Sequence, residues 1–246
     1  MKSFFFILIL VSLPAYATKI TVVTEAFKPL QYLEENEVKG PATDLVKALL
    51  ESSNFTYSLN LMPWARAYKM AKEQPNVLIY SMSRTKEREN EFHWIGLITP
   101  VKYKLYGLKT REDLIINSIE DIKNYNVGVL RGSATESALK KLSNNLISLN
   151  SAEQIFSMTN LGRIDVFPAN TLHFKDVCRN YNSISSCKDF TDLIEIPNAG
   201  QGLYIALSKS STKEVIQKLT YFYQKLKDNT DLQVWRELQN IKELSN

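Results

Sequence analysis

Apolar and polar positions along the chain switch between two periods, and the switches mark out its elements. Ile20-Thr21-Val22-Val23-Thr24 is a β-rich run ended by a turn over residues 25–29, and residues 34–39 read as a charged hairpin tip. Gly40-Pro41 then breaks the chain. Thr43 is predicted to cap the helix that follows, with Asp44 at its positive end. Leu45 with Leu49, and Val46 with Leu50, recur at i, i+4, which packs one helix face on a sheet. Phe55, Tyr57, Leu59 and Leu61 alternate as a strand, and Pro63 opens a helix through Trp64, Ala67, Tyr68 and Ala71. Val77 to Tyr80 reads as a buried strand, with the polar octet Ser81-Met82-Ser83-Arg84-Thr85-Lys86-Glu87-Arg88 as its exit. Parallel strands joined by helices bring ligands to their carboxyl ends. Here those ends are the segment 25–32, the Pro63-Trp64 turn and the octet.

The pattern then restarts. Residues 101–109 form an extended run after Pro100 that leads away from the first half. Ser118 with Asp121, and Ser151 with Gln154, have the spacing of capping boxes. Val127-Gly128-Val129-Leu130 is a buried strand, and Arg131-Gly132-Ser133-Ala134-Thr135 leads from it into a helix, a turn where free N–H groups suit an anion. Residues 146–149 and 163–167 are further strands, the latter ending at Pro168-Ala169-Asn170. Residues 194–197 and 202–207 look extended, and 212–227 and 231–243 are helical. The expected fold is α/β: two lobes with mixed central sheets and helices on both faces.

The first 17 residues stand apart. Lys2, an apolar stretch over 4–13 and Ala15-Tyr16-Ala17 compose a cleavable secretory signal, so the mature chain is expected to start near Thr18, in the periplasm of a two-membrane host. About 229 residues then remain, enough for two lobes. The formal net charge of +4 is mild and evenly spread, which argues against nucleic acid as a partner. Cys178 and Cys187, the only two cysteines, are expected to pair in an oxidising compartment and close a short loop worth roughly 2–3 kcal/mol. His93 and His173 have no metal-ligand spacing, and no nucleophile elbow or zinc-protease motif occurs. No catalytic residue, metal or cofactor is expected.

On these residues the chain resembles the bacterial extracellular solute-binding proteins of family 3, over roughly 20–238. Ser81, Ser83, Thr85 and Arg88 match the family's Ser-x-Ser-x-Thr-x-x-Arg pattern. Gly40 through Asp44-Leu45 is similar to its Gly-x-x-x-Asp-Leu helix start. Val127-Gly128 with Gly132-Ser133, Gly162-Arg163-Ile164-Asp165, and the return strand 204–209 fit the second half of its pattern. The resemblance implies a type II periplasmic-binding-protein fold with a two-segment hinge, near 101–106 and 196–202. Lobe one is then 18–100 with 199–246, and lobe two is 101–198. It also implies a carboxylate-bearing ligand held by Arg88 and the Ser81–Ser83 region, an aromatic (Phe27) over that ligand, and Ser133 closing from lobe two. Trp64, Arg131 and Asn170 complete the expected site.

Two departures shape the expectation. The family places Asp or Glu where this chain has Asn170, which removes a partner for an α-ammonium, and Glu25 is a candidate replacement. Arg66, Arg84 and Arg131 are expected to add positive charge near the cleft, favouring a ligand more anionic than a neutral amino acid. The expected function is capture of a small carboxylate for uptake by a monomer, with an inner-membrane ABC permease as a candidate partner. The alternatives are a sensing module of the same fold, and a periplasmic dehydratase acting on a prephenate-like acid.

Overall fold

Alternation within single strands decides how the layers assemble. The computed structural model describes residues 18–180, 187–229 and 231–243. The expected signal segment and the Cys178 side chain, on which the disulfide expectation falls, lie outside the described residues. In β1 (Lys19–Thr24), Ile20 and Val22 point to one apolar cluster and Val23 to another. The hairpin β2 (Tyr32–Glu34) and β3 (Glu37–Lys39) leads to α1 (Pro41–Ser52), β4 (Thr56–Leu61), α2 (Trp64–Glu73), β5 (Val77–Ser83) and β6 (Phe92–Pro100). In β5, Leu78 and Tyr80 join the α1 side while Val77 and Ile79 join Ala67 and Ala71 of α2. Both faces of this strand are buried, which is why it reads as a continuous apolar run.

The chain next crosses to β7 (Tyr103–Leu108), β8 (Asn126–Leu130), α3 (Ala134–Leu139), β9 (Asn145–Leu149), α4 (Ala152–Asn160), β10 (Val166–Asn170), α5 (Thr171–Asn180) and β11 (Phe190–Glu195). It returns in β12 (Gly202–Ser208) and ends in α6 (Lys213–Asp228) and α7 (Gln233–Glu243). One five-stranded sheet runs β4-β1-β5-β12-β6 and the other β11-β7-β10-β8-β9. In the first, β1 is parallel to β4 and β5, and β12 is antiparallel to β5 and β6. The second repeats this plan: β8 is parallel to β9 and β10, and β7 is antiparallel to β10 and β11. The result is a two-lobe α/β fold with a two-segment hinge. The crossings are bonded to each other, Val101 N–H to Gln201 O at 3.2 Å and Ile196 N–H to Tyr103 O at 2.8 Å. No helix among the described residues is long and apolar enough to cross a membrane.

Several local expectations change. Thr43 does not cap α1. Gly40, at φ 112°, is the N-cap and Pro41 opens the first turn, because proline's fixed φ suits a position whose N–H is unbonded. Thr43 is instead buried, with its hydroxyl 2.8 Å from that of Tyr80. The Ser118 capping box forms, whereas Ser151 caps α4 while Gln154 reaches back to Asn150 N–H. β5 runs past Tyr80 to Ser83, and Ser81 (φ 58°) turns inside the strand where pairing with β12 slips between Tyr204 and Ala206. β10 starts at Val166, not 163, because Arg163 and Ile164 bond back to Met158 O in closing the Gly162 turn.

β6 is not legible as a strand in the sequence, since its apolar residues follow no clean period. Gly96 explains part of this. The Tyr223 ring of α6 lies where a Cβ would sit, and the Tyr223 hydroxyl donates to Leu97 O at 2.6 Å. Gly96→Ala is expected to cost about 1–3 kcal/mol by overpacking. Thermal unfolding should show that as a drop of several degrees.

Candidate functional site

The carboxyl ends of β1 and β5, the start of α2, and the first turns of α3 and α5 converge on a cavity of about 90 Å³ between the lobes. That is space for more than one water molecule and suits a compact solute. Lobe one contributes Glu25, Phe27, Trp64, Ser81, Ser83 and Arg88. Lobe two contributes Leu130, Ser133, Thr135, Ile155, Asn170 and His173, and Tyr103 stands at the crossing.

Arg88 is the cation of the cavity and is only 4% exposed. It donates from Nη1 to Ser83 O at 3.1 Å and from Nη2 to Gly132 O at 2.8 Å, joining the two lobes. Trp64 Nε1 donates to the same Gly132 carbonyl at 2.9 Å, so both lone pairs of that oxygen are used. Gly132 holds φ 72°, a left-handed conformation that glycine adopts without strain. The guanidinium lies 4.8 Å from the Tyr68 ring centroid and 5.6 Å from that of Trp64, which eases burial of its charge. Burial lowers its pKa from the usual arginine value, with Tyr68 and Tyr103 opposing that shift. No carboxylate among the described residues lies within ion-pair distance of Arg88. Glu91 is reached through the Tyr68 hydroxyl (2.6 Å) and is paired with Lys72.

Glu25 is the cavity's carboxyl group without a partner. No hydrogen bond or ion pair engages its carboxylate among the described residues. Burial, and secondarily the Glu153 carboxylate, push its pKa from 4.5 up to about 8. His173 faces the same space, with its ring 4.8 Å from Phe27 and edge-on to it. Burial drives its pKa down to about 4, against the pull of Glu153, so the imidazole is neutral at neutral pH.

The hydroxyls and amides expected to bind ligand are largely engaged by the protein. Ser81 donates to Gln31 Oε1 at 2.8 Å, and Gln31 in turn holds Thr24 and Glu25 O. Ser83 and the Tyr103 hydroxyl are 2.8 Å apart, and Asn170 also bonds that hydroxyl; burial raises the phenol's pKa, and these two bonds oppose the shift. Asn170 Oδ1 caps α5 by accepting from His173 N–H at 2.9 Å. Ser133 caps α3 by accepting from Glu136 N–H at 3.0 Å and pairs with the Thr135 hydroxyl. The expected anion turn is already occupied: the Glu136 carboxylate accepts from Gly132 N–H at 2.6 Å and from the Ser148 hydroxyl.

Seven of the eight expected ligand residues line the cavity; Arg131 does not. Its side chain is exposed and donates to Ser148 O at 3.1 Å, because the left-handed turn at Gly132 follows it and carries the chain away. Arg66 is on the exposed face of α2. Arg84 forms a two-point pair with Glu89, stacks over Trp94 and Tyr204, and borders a separate groove of about 900 Å³ beside the crossings. The added positive charge expected near the cleft is therefore absent from the cavity wall, and the case for a more anionic ligand falls with it. His173 and Tyr103 were not legible as site residues. The one signal was position, since His173 lies one helical turn beyond the strand end at Asn170.

The family model for bacterial extracellular solute-binding proteins, family 3, matches residues 20–237. The chain belongs to this family. A curated relative, the arginine-binding extracellular protein ArtP of Bacillus subtilis (strain 168), is 27% identical over 127 residues, covering 51% of this chain and 49% of the relative. The match thus spans about half of that relative's length. Among solved structures, the amino acid ABC transporter substrate-binding protein AbpA of Streptococcus pneumoniae Canada MDR_19A, bound to L-arginine, is 20% identical with a TM-score of 0.71. That match covers 92% of this chain and 95% of AbpA. A histidine kinase sensor domain similar to periplasmic binding proteins is 13% identical with a TM-score of 0.75, covering 92% of this chain and 95% of that one. At these identities the structural likeness shows the fold. Like the rest of family 3, the chain is a solute-binding protein.

Proposed function

We propose that this solute-binding protein captures an amino acid between its two lobes and presents it for uptake, without chemistry on the ligand. One observation carries the reading: the interlobe cavity holds a buried cation, Arg88, and a half-buried acid, Glu25, that are not paired with each other or with any other described charge. Burying an unpaired charge is costly, so Arg88 calls for an anion from the ligand, and Glu25, held protonated by its surroundings, ionises when a ligand cation is beside it. A zwitterion supplies both. Its carboxylate takes the remaining N–H groups of the Arg88 fork, and its nitrogen cation takes Glu25. The arginine bound by ArtP and AbpA has this charge pattern, with a second cationic group on its tail.

Because the ligand touches both lobes, it favours the form in which they meet, which is the condition for coupling capture to closure. Residues 18–100 with 199–246 form one moving body in this reading, and 101–198 the other. An ABC permease is the natural partner, and the periplasm or cell exterior the natural compartment.

Isothermal titration against L-arginine, L-glutamine, L-glutamate and succinate tests the proposal. Arginine or glutamine should bind more tightly than the two acids. Preference for succinate, or no binding by any amino acid, would overturn it.

A further inference from the structure

Within the cavity one polar side chain has no role in the fold or in the charge pairing above. The His173 imidazole lines the cavity, yet neither ring nitrogen bonds to any described group, and Nδ1 is sealed from solvent. Its backbone N–H, not its ring, is what the Asn170 cap uses. Phe27, across the cleft, touches the ring edge-on and offers no acceptor or donor. Among the described residues no cluster of three metal-binding side chains exists.

We propose that His173 is the second lobe's contact for the nitrogen-bearing tail of the ligand, receiving it opposite Glu25. This rests on the amino-acid reading above and narrows it to ligands whose tail carries N–H donors. The physical case is one of satisfaction. A neutral imidazole has one acceptor nitrogen and one donor nitrogen, and a half-turn of the ring exchanges which of them faces the cavity. With the lobes together no described protein group serves the imidazole Nδ1. A ligand donor supplies that bond in the closed form. Closure then discriminates between a guanidinium, amine or amide tail and an alkyl tail, since an apolar tail leaves the same nitrogen unsatisfied. His173 sits on α5, in the moving lobe, so this selectivity is exerted at closure rather than at first encounter.

The test compares wild type, His173→Phe and His173→Gln, titrated with L-arginine and with L-norleucine, a tail lacking N–H donors. Phe keeps the ring and its packing on Phe27, and Gln restores a polar group. His173→Phe should weaken arginine about tenfold, the scale of one buried hydrogen bond, and change norleucine less than about threefold. His173→Gln should recover part of the arginine affinity. Long-range 1H–15N spectra of the wild-type imidazole should show one ring nitrogen shifting when arginine is added. Arginine affinity unchanged in His173→Phe, equal losses for both ligands, or ring nitrogens that do not move would overturn the assignment of His173 alone. If wild type binds no amino acid, the underlying function falls with it.

Discussion

Arg88→Ala is expected to weaken amino-acid binding by about thirtyfold to several thousandfold. Losing a buried charged partner in an interface costs about 2–5 kcal/mol, and every tenfold in affinity is about 1.4 kcal/mol. The guanidinium is the only cation among the described residues that line the cavity, and its two backbone bonds fix the fork in place. A lysine at this position keeps a charge but not the two-pronged geometry, so Arg88→Lys should recover only part of the loss. The empty protein should also melt somewhat lower in Arg88→Ala. The bond to Gly132 O disappears and Tyr68 and Trp64 lose the group packed between them. At 100 times the wild-type dissociation constant, ligand should raise wild-type stability by about 2.7 kcal/mol. The same concentration should leave Arg88→Ala unmoved. If the variant keeps the thermal shift, Arg88 is a structural link between lobes and not a carboxylate clamp.

Raising the pH from 6.5 to 9 is expected to open the ligand-free protein. The Glu25 pKa in the closed, empty cleft is raised from 4.5 to about 8. A raised folded-state pKa means stability that is complete below 4.5 and lost as pH climbs through 8, at about 1.4 kcal/mol per pH unit in that interval. Opening returns the carboxylate to water and relieves the loss, so the radius of gyration from small-angle scattering should increase across this range. His173 does not interfere, because its lowered pKa of about 4 confines its own effect to the range below 6.5, where acid disfavours the closed form. Glu25→Gln removes the charge and should stay equally compact throughout. Arginine should hold wild type closed even at pH 9, by supplying the counter-charge, and Glu25→Gln should bind arginine at least tenfold more weakly. A radius that is flat with pH in wild type, or arginine affinity untouched by Glu25→Gln, would remove Glu25 from the site.

These two residues differ in how visible they were in the sequence. Arg88 stands in a spaced pattern of hydroxyls that ends a strand, and the likeness of that pattern to the family's pointed to it. Glu25 could be named only as a stand-in for the acid that Asn170 lacks. Its standing as the cavity's unpaired carboxylate depends on Glu153, 128 positions later, and on the wall that buries it. The three extra arginines went the other way. Local sequence placed them near the cleft, but each turned outward or found an acceptor of its own.

By itself the sequence determined most of the order of elements, β6 excepted, together with the two-lobe plan and the strand ends that meet at the cleft. These follow from short-range rules: a period of two or of 3.6, breakers at Gly40-Pro41, and donor-rich turns after apolar runs. Tertiary structure alone decided which donors stay free. Ser81, Ser83, Ser133 and Asn170 all reach the cavity wall, and all spend their hydrogen bonds on caps or neighbours from distant segments. What is left unsatisfied, Glu25 and His173 with the counter-charge of Arg88, is a property of the closed space between lobes. A hydrogen bond needs two partners in register, and the second partner is chosen by packing rather than by neighbours along the chain.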